Sequence, residues 1–193
     1  MSVKKSFDVY YLLVSEGTTE YNLFSYLTKN RYRELFAKSN IKFSDKVDIA
    51  SAGISRGKLD GAGNLSDFEN KFRLIKNDGR YKGQKLFFVL DKDLDDSPAI
   101  EDLVRQSGDI VQFIEFNSEH LMLNFAGKDP RNPAEFSSLV NFRAYCKDEF
   151  QRQFNKKASE LKDHDFDAIF NGVTERKIRS SFIELFATLS EQL

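Results

Sequence analysis

Acidic side chains stand directly after two apolar runs, where carboxylates from distant parts of the chain could share one site. Glu16 follows the run at residues 8–15 (DVYYLLVS), and Asp91 and Asp93 follow the run at residues 85–90 (KLFFVL). Ionised carboxylates in one cleft repel each other, and a divalent cation relieves that repulsion. Because this set offers only oxygen ligands, it favours Mg²⁺, Mn²⁺ or Ca²⁺ over zinc. Such a site can orient an attacking water and stabilise the leaving oxygen of a phosphodiester, so metal-dependent hydrolysis is the leading hypothesis.

Two further carboxylates are candidates for the same site. Glu20 lies in the first turn of a predicted helix, one turn after Glu16, and Glu119 follows the fourth predicted strand. We predict Glu16, Asp91 and Asp93 to be catalytic, and all five carboxylates to be metal ligands. The competing interpretations are structural. An acidic cluster after a strand is typical of a solvated turn, and Glu20 would also complement a helix dipole.

The elements that must position these residues alternate between strand and helix along the first two thirds of the chain. Apolar runs predict strands at residues 8–15, 47–52, 85–90 and 110–116, and helical periodicity predicts helices at residues 18–37, 65–76 and 97–106. This alternation is typical of an α/β fold with a mostly parallel sheet between helices. Ligands bind such sheets at the carboxyl ends of the strands, where the residues after strands one and three are expected to converge.

The last third of the chain is predicted to be helical. Residues 134–157 and 174–193 have the pattern of amphipathic helices, and a turn-rich stretch (GKDPRNP) occupies residues 127–133. A length of 193 residues suits one domain. We therefore predict a catalytic α/β domain at residues 1–127 and a helical extension at residues 128–193, packed on the same domain.

The overall charge neither favours nor excludes nucleic acid as the substrate. The chain has 29 basic and 30 acidic residues, a net charge of −1, but local patches are what bind phosphate. Arg56 and Lys58 lie in the glycine-rich segment 53–64, at the same expected edge as the carboxylates, and are predicted to contact substrate phosphates. Basic clusters at residues 156–157 and 176–179 are more typical of solvated helix faces.

The cysteine content and hydropathy indicate a compartment. The single cysteine, Cys146, rules out a disulfide framework or a thiolate zinc site within one chain. The sequence has no apolar run of about 18 residues and no signal-peptide core. We therefore expect a cytoplasmic protein with no membrane partner. The amphipathic C-terminal helices would also suit self-association into a homo-oligomer.

Two motifs together resemble the TOPRIM fold. VSEGTTE at residues 14–20 is similar to its Glu-Gly motif, and FFVLDKD at residues 87–93 is similar to its Asp-x-Asp motif. The EGTTE form resembles small TOPRIM proteins and OLD-family nucleases rather than topoisomerases. The segment FNSEHLMLNF at residues 116–125 resembles the corresponding stretch of RloB-like proteins, short bacterial chains associated with restriction and phage-defence loci. The resemblance covers roughly residues 8–125, and the sequence departs from topoisomerases and primases in lacking a glycine within two residues of Asp93.

The resemblance implies a fold and a set of roles. The fold would be a TOPRIM-like (Rossmann-like), mainly parallel four-stranded sheet between helices, followed here by the helical extension. Glu16 would act in metal or proton handling, and Asp91 and Asp93 would bind Mg²⁺. The activity would be a nuclease acting on DNA or RNA, as in a phage-defence effector. Because the sequence has no P-loop, a coupled ATPase or other defence protein would be a separate chain.

Two other functions are compatible with the sequence. A catalytically silent TOPRIM-shaped binding module in a defence complex would keep the fold and the metal ligands without turnover. A haloacid-dehalogenase-like phosphatase would use FFVLDKD as a nucleophile motif, although in that family the motif usually follows the first core strand and here it follows the third. A covalent aspartyl-phosphate would separate the phosphatase from the nuclease.

Overall fold

A four-stranded parallel sheet forms the centre of the protein. The structure is a computed structural model that describes residues 8–60, 64–92 and 96–191. The strands are β1 (Val9–Ser15), β2 (Ile41–Ser44), β3 (Lys85–Lys92) and β4 (Ile110–Glu115). They lie in the order β2-β1-β3-β4, and each neighbouring pair is parallel. The predicted α/β fold with a parallel sheet between helices is therefore confirmed.

Helices connect the strands and form the last third of the described chain. In chain order they are α1 (Thr18–Tyr26), α2 (Arg33–Lys38), α3 (Leu65–Asn77), α4 (Ser97–Gln106), α5 (Ser118–Phe125), α6 (Leu139–Phe154), α7 (Asp163–Ile169), α8 (Glu175–Ser181) and α9 (Ile183–Ser190). A π-helical turn, Leu27–Arg31, joins α1 to α2, and short 3₁₀ turns occupy Ala50–Ala52, Pro133–Glu135 and Ala158–Glu160. Within the described residues, no helix is both long and apolar enough to span a bilayer.

The prediction of the second strand at residues 47–52 was wrong, because β2 lies earlier, at Ile41–Ser44. Residues 49–54 instead form a tight turn, in which the backbone N–H groups of Ile49 and Ile54 each donate to the other's carbonyl oxygen. The apolar side chains of Val47, Ile49 and Ile54 are buried, but they enter the core from this turn. An apolar run reports burial and does not by itself distinguish a strand from a buried turn.

Two predicted helices are interrupted. The helix predicted at residues 18–37 contains the π turn, which widens the helix by an extra residue before Phe36 packs into the core. The helix predicted at residues 174–193 breaks at Phe182, whose backbone leaves the helical region (φ −129°, ψ 52°) while its side chain is fully buried. The helix predicted to begin at residue 134 begins at Leu139.

Alternation along the strands divides the core into two layers. The odd-numbered residues Tyr11, Leu13, Phe87 and Val89 pack against α1, α2 and the C-terminal helices. The intervening even-numbered residues of β1 and β3 pack against α3, α4 and the turn at residues 47–59. Helices α6 to α9 bury their apolar sides in the first layer, and a division at residue 127 stays a prediction.

Gln112 joins the edge strand β4 to the last helix. Its side chain is 4% exposed. Its Oε1 accepts hydrogen bonds from the backbone N–H groups of Glu184 (3.0 Å) and Leu185 (3.3 Å), and its Nε2 donates to the carbonyl of Phe113 (2.7 Å). The first-turn N–H groups of a helix have no intrahelical partner, so Gln112 supplies from another element what a capping residue usually supplies.

We expect Gln112→Leu to lower the free energy of unfolding by about 1–3 kcal/mol, because it leaves buried N–H groups of α9 without an acceptor. Urea unfolding followed by circular dichroism measures the change. The control is Gln106→Leu at the exposed end of α4, where a substitution changes stability by about 0.5 kcal/mol or less. Equal unfolding midpoints for the two variants would contradict the capping role.

Candidate active site

Glu16 is held against the end of β3. Its backbone N–H donates to the carbonyl of Val89 (3.0 Å), so the chain stays hydrogen-bonded to β3 one residue beyond β1. The Glu16 side chain is half-buried, and its Oε2 accepts from the backbone N–H of Asp91 (3.2 Å). Two residues 75 positions apart are thus in direct contact, as their positions after strands one and three predicted.

Asp91 lies within β3 rather than after it, because the strand continues to Lys92 and pairs Asp91 with Ile114 of β4. Alternation places Asp91 on the same face as Phe87 and Val89, towards the layer that contains α1 and α5. The apolar run that leads into this carboxylate therefore decides which side of the sheet it faces.

Glu20 and Glu119 complete the group. Glu20 is 6% exposed and Glu119 is 9% exposed. The Ser118 hydroxyl lies 2.9 Å from Glu20 Oε1 and 3.3 Å from Asp91 Oδ1, which ties the start of α5 to both carboxylates. A Cβ atom at Gly17 would lie 3.1 Å from Glu20 Oε2, so the glycine of the EGTTE motif leaves room for that carboxylate.

Burial and neighbouring charges raise the pKa values of Asp91, Glu16 and Glu119. Burial, followed by the charges of Glu20, Glu16 and Glu119, raises the pKa of Asp91 well above its usual value, against a hydrogen bond from Ser118. Burial and then Glu20 raise the pKa of Glu16, although the Asp91 N–H and two cations of α6 oppose the shift. Burial also raises the pKa of Glu119, opposed by a backbone hydrogen bond and by Lys147. The described part of the site thus holds more negative charge than its own cations compensate.

These pKa shifts predict how the stability of the metal-free protein changes with pH. A carboxyl whose pKa is raised by folding contributes stability that is complete below its unfolded pKa and is lost as the pH rises through its folded pKa. We expect Glu119→Gln, which cannot ionise, to unfold close to the wild type at about pH 4 and at a progressively higher temperature than the wild type towards about pH 7.

Differential scanning fluorimetry with a chelator present measures this difference. The matched control is Glu101→Gln, on the surface helix α4. A temperature difference that shrinks with rising pH would contradict the assigned direction of the Glu119 shift.

The donor set fits a hard divalent cation in its chemistry, since it contains carboxylate and hydroxyl oxygens without thiol or imidazole. In the present arrangement, no three His, Cys, Asp or Glu side chains among residues 8–60, 64–92 and 96–191 surround a common point as metal ligands do. The Ser118 hydroxyl and the Asp91 backbone N–H stand between the carboxylates. Asp93, the remaining predicted ligand, lies outside the described residues.

The structure places the two predicted phosphate contacts at the same edge of the sheet. Gly57 O accepts from Ser15 N (2.6 Å) and Ser15 O accepts from Leu59 N (2.9 Å), which extends the sheet beside β1. Arg56 is exposed, has a positive φ of 48° and acts electrostatically on Asp45 and Tyr21, whereas Lys58 is half-buried. Their contact with a substrate stays a prediction.

Sequence reasoning missed two cations beside the carboxylates, Arg143 and Lys147 of α6. Both lower the pKa of Glu16, and Lys147 also lowers that of Glu119. The residue immediately before each of them, Phe142 or Cys146, is fully buried. Arg143 and Lys147 are four residues apart, so they lie on the same side of α6. Because each follows a buried residue, this spacing was a signal that both cations lie at the edge of the buried face of the helix.

Other reactive side chains have structural surroundings. Burial and then Glu119 raise the pKa of Cys146 to about 12, so its thiol is not a ready nucleophile. The His120 ring packs edge-on against Phe116 and Phe142. Lys156 pairs with Asp165 at 2.7 Å, and Arg179 pairs with Glu175 at 2.7 Å.

Known proteins do not supply a family for this chain. Neither models of protein families, nor curated proteins, nor solved structures gave a significant match. The function is therefore inferred from the chemistry of the site and from the motifs in the sequence.

Proposed function

We propose that this protein is a Mg²⁺- or Mn²⁺-dependent nuclease of the TOPRIM type. The observation that carries the proposal is the gathering of Glu16, Glu20, Asp91 and Glu119 at the carboxyl end of a parallel sheet. Four carboxylates within electrostatic reach of one another, largely removed from water, are costly unless a cation or protons compensate them. The position is also where open parallel sheets bind their ligands.

The roles of the residues follow from their surroundings. Asp91, Glu20 and Glu119, together with Asp93, would hold the cation. The bound Mg²⁺ would supply charge for the phosphate oxygens and a polarised water. The raised pKa of Glu16 brings this carboxyl closer to neutral pH, which suits a group that accepts or returns a proton during hydrolysis. Arg56 and Lys58 would contact neighbouring phosphates of the nucleic acid.

The resemblance to RloB-like and OLD-family proteins adds a setting to the proposal. In that setting the chain is an effector of bacterial phage defence that works in the cytoplasm beside a separate ATPase or another defence protein. Self-association through the C-terminal helices belongs to the same proposal. Size-exclusion chromatography with light scattering would show whether the purified chain forms a homo-oligomer.

The deciding experiment is an incubation of the purified chain with single- and double-stranded DNA and RNA, with Mg²⁺, Mn²⁺ or a chelator. Glu16→Gln is the site variant, and Glu115→Gln is its matched control. Glu115 is also a glutamate at the carboxyl end of a strand of this sheet, but its side chain is 64% exposed and outside the carboxylate group. We expect metal-dependent cutting by the wild type and the control, and its loss in Glu16→Gln.

The two alternative functions predict other outcomes of the same experiment. Binding of nucleic acid without cutting under every metal would support the binding module. Release of phosphate from a small phosphomonoester, with a hydroxylamine-sensitive phosphate on Asp91, would support the phosphatase. Either outcome would overturn the nuclease proposal.

A further inference from the structure

A pocket of about 250 Å³ lies beside the carboxylate group, between α1, α5 and α6. The residues that line it are Thr19, Glu119, Lys147, Asp148, Gln151, Lys157, Ala158 and Ser159. Its floor is fixed in place, since Ala158 is 3% exposed and the Asn22 side chain donates to the carbonyl of Ser159 (3.2 Å). The pocket therefore lies between the part of the chain that forms the sheet and the C-terminal helices.

Two lysines line this pocket, together with the carboxylates of Glu119 and Asp148. Lys147 and Lys157 are exposed, and neither forms an ion pair with any residue that the structure describes. Neighbouring cations differ, since Lys156 pairs with Asp165 and Arg152 with Glu149. Of these four cations, the two outside an ion pair are the two that line the pocket.

The pocket is continuous with the carboxylate group. Glu119 lines the pocket and also acts electrostatically on Asp91, and Thr19 immediately precedes Glu20. Lys147 lies close enough to act on both Glu119 and Glu16. The pocket is therefore open to a ligand that is held at the carboxylate group.

We infer that this pocket is a binding subsite for one nucleotide of a single-stranded nucleic acid, adjacent to the phosphate that is cut. Lys147 and Lys157 contact the phosphate, and the polar side chains of Asp148 and Gln151 face the sugar or base. The volume lies just below the range of about 300–1,000 Å³ that is usual for small-molecule sites. A pocket of this size between helices admits a single flexible strand and not a double helix. The inference rests on the proposed function and assigns its substrate class.

Binding and cutting are measured separately, so that the subsite and the hydrolysis can fail independently. Binding uses the Asp91→Asn background and a fluorescein-labelled single-stranded oligonucleotide, as DNA and as RNA, in a fluorescence anisotropy titration at several salt concentrations. The variants are Lys147→Ala, Lys157→Ala and Lys147→Arg. Arg152→Ala is the control. It removes an exposed cation of α6, the helix that carries Lys147, at a position outside the pocket.

Each lysine-to-alanine variant is expected to weaken binding several-fold and to reduce the slope of log K against log salt by about 0.7, the value for one phosphate contact on a single strand. Lys147→Arg should restore the slope, because it keeps the charge, and Arg152→Ala should leave the slope unchanged. In the cutting assay the alanine variants should raise KM more than they lower kcat.

Distinct results would overturn the subsite and the nuclease proposal. Unchanged affinity and slope in both lysine variants would overturn the subsite, even if the wild type cuts nucleic acid. Loss of slope without cutting by the wild type would support the subsite and overturn the nuclease. Equal effects of the lysine variants on a duplex would overturn the single-strand assignment. No binding in the Asp91→Asn background would overturn the subsite, and no cutting by the wild type would overturn the nuclease.

Discussion

Asp91→Asn is expected to abolish metal-dependent cutting and, at the same time, to stabilise the metal-free protein. The amide keeps the shape of the carboxyl group and can still meet the Ser118 hydroxyl, but it removes the charge that Glu16, Glu20 and Glu119 repel. Relief of a buried, uncompensated charge should raise the free energy of unfolding at neutral pH by on the order of 1–3 kcal/mol. A ligand carboxylate is needed for cation binding, and activity should fall by at least about 100-fold.

The two effects are measured on one preparation. Thermal unfolding with a chelator should show a higher Tm for Asp91→Asn, by about 2–4 °C for each kcal/mol in a chain of this size. Addition of Mg²⁺ should raise the Tm of the wild type and leave that of the variant nearly unchanged. Asp102→Asn, at an exposed position of α4, is the control and should change neither property. A variant that is both less stable and inactive would indicate that Asp91 has a structural role.

Gly57→Ala is expected to destabilise the protein more than the same change at any other glycine that the structure describes. Gly57 has a φ of +70°, and a Cβ atom there would lie 2.2 Å from the backbone carbonyl oxygen of Leu13 in β1. That oxygen belongs to the sheet and cannot move aside as a flexible side chain would. Together, the left-handed backbone and the collision should lower the free energy of unfolding by more than about 2 kcal/mol.

Gly53→Ala separates the two causes. Gly53 has a similar φ of +65°, but nothing lies within 4 Å of the corresponding Cβ position. The free energy of unfolding of Gly53→Ala should therefore fall only by the cost of the left-handed conformation, about 1–2 kcal/mol. Urea unfolding of both variants gives the comparison. Equal losses would show that the segment at residue 57 can shift away from β1, and that it does not hold Arg56 and Lys58 rigidly at the edge of the sheet.

The sequence predicted those parts of the site that depend on strands, because alternation and strand ends are local properties. The run KLFFVL indicated both a buried strand and the carboxylate that follows it. Lys147 could not be placed in the same way, since its position beside Glu119 depends on how α6 packs against α5. The assignment of β2 failed for a related reason. Its four residues include Lys42, whereas in the more apolar segment 47–52 only Val47 and Ile49 are buried, beside a turn.

The capping of α9 by Gln112 could not be predicted from the sequence either. A glutamine in the middle of an edge strand has no local signal that connects it to a helix about 70 residues later. The contacts that determine the partners of such a side chain form only when the whole chain has folded. What the sequence did provide was the choice of residues worth testing, and four of the five predicted carboxylates lie together in the described structure.

The Ser118 hydroxyl bridges Glu20 and Asp91 across sequence separations of 98 and 27 residues, and the Asp91 backbone bonds Glu16 across 75. Contacts of such separation form late, because loop closure must precede them. The cations that moderate the site come later still, on α6. A partly synthesised chain that ends before α6 would carry the carboxylates without Lys147 or the pocket. The complete site, with its cations and its pocket, should therefore form only after α6 and residues 157–159 have left the ribosome.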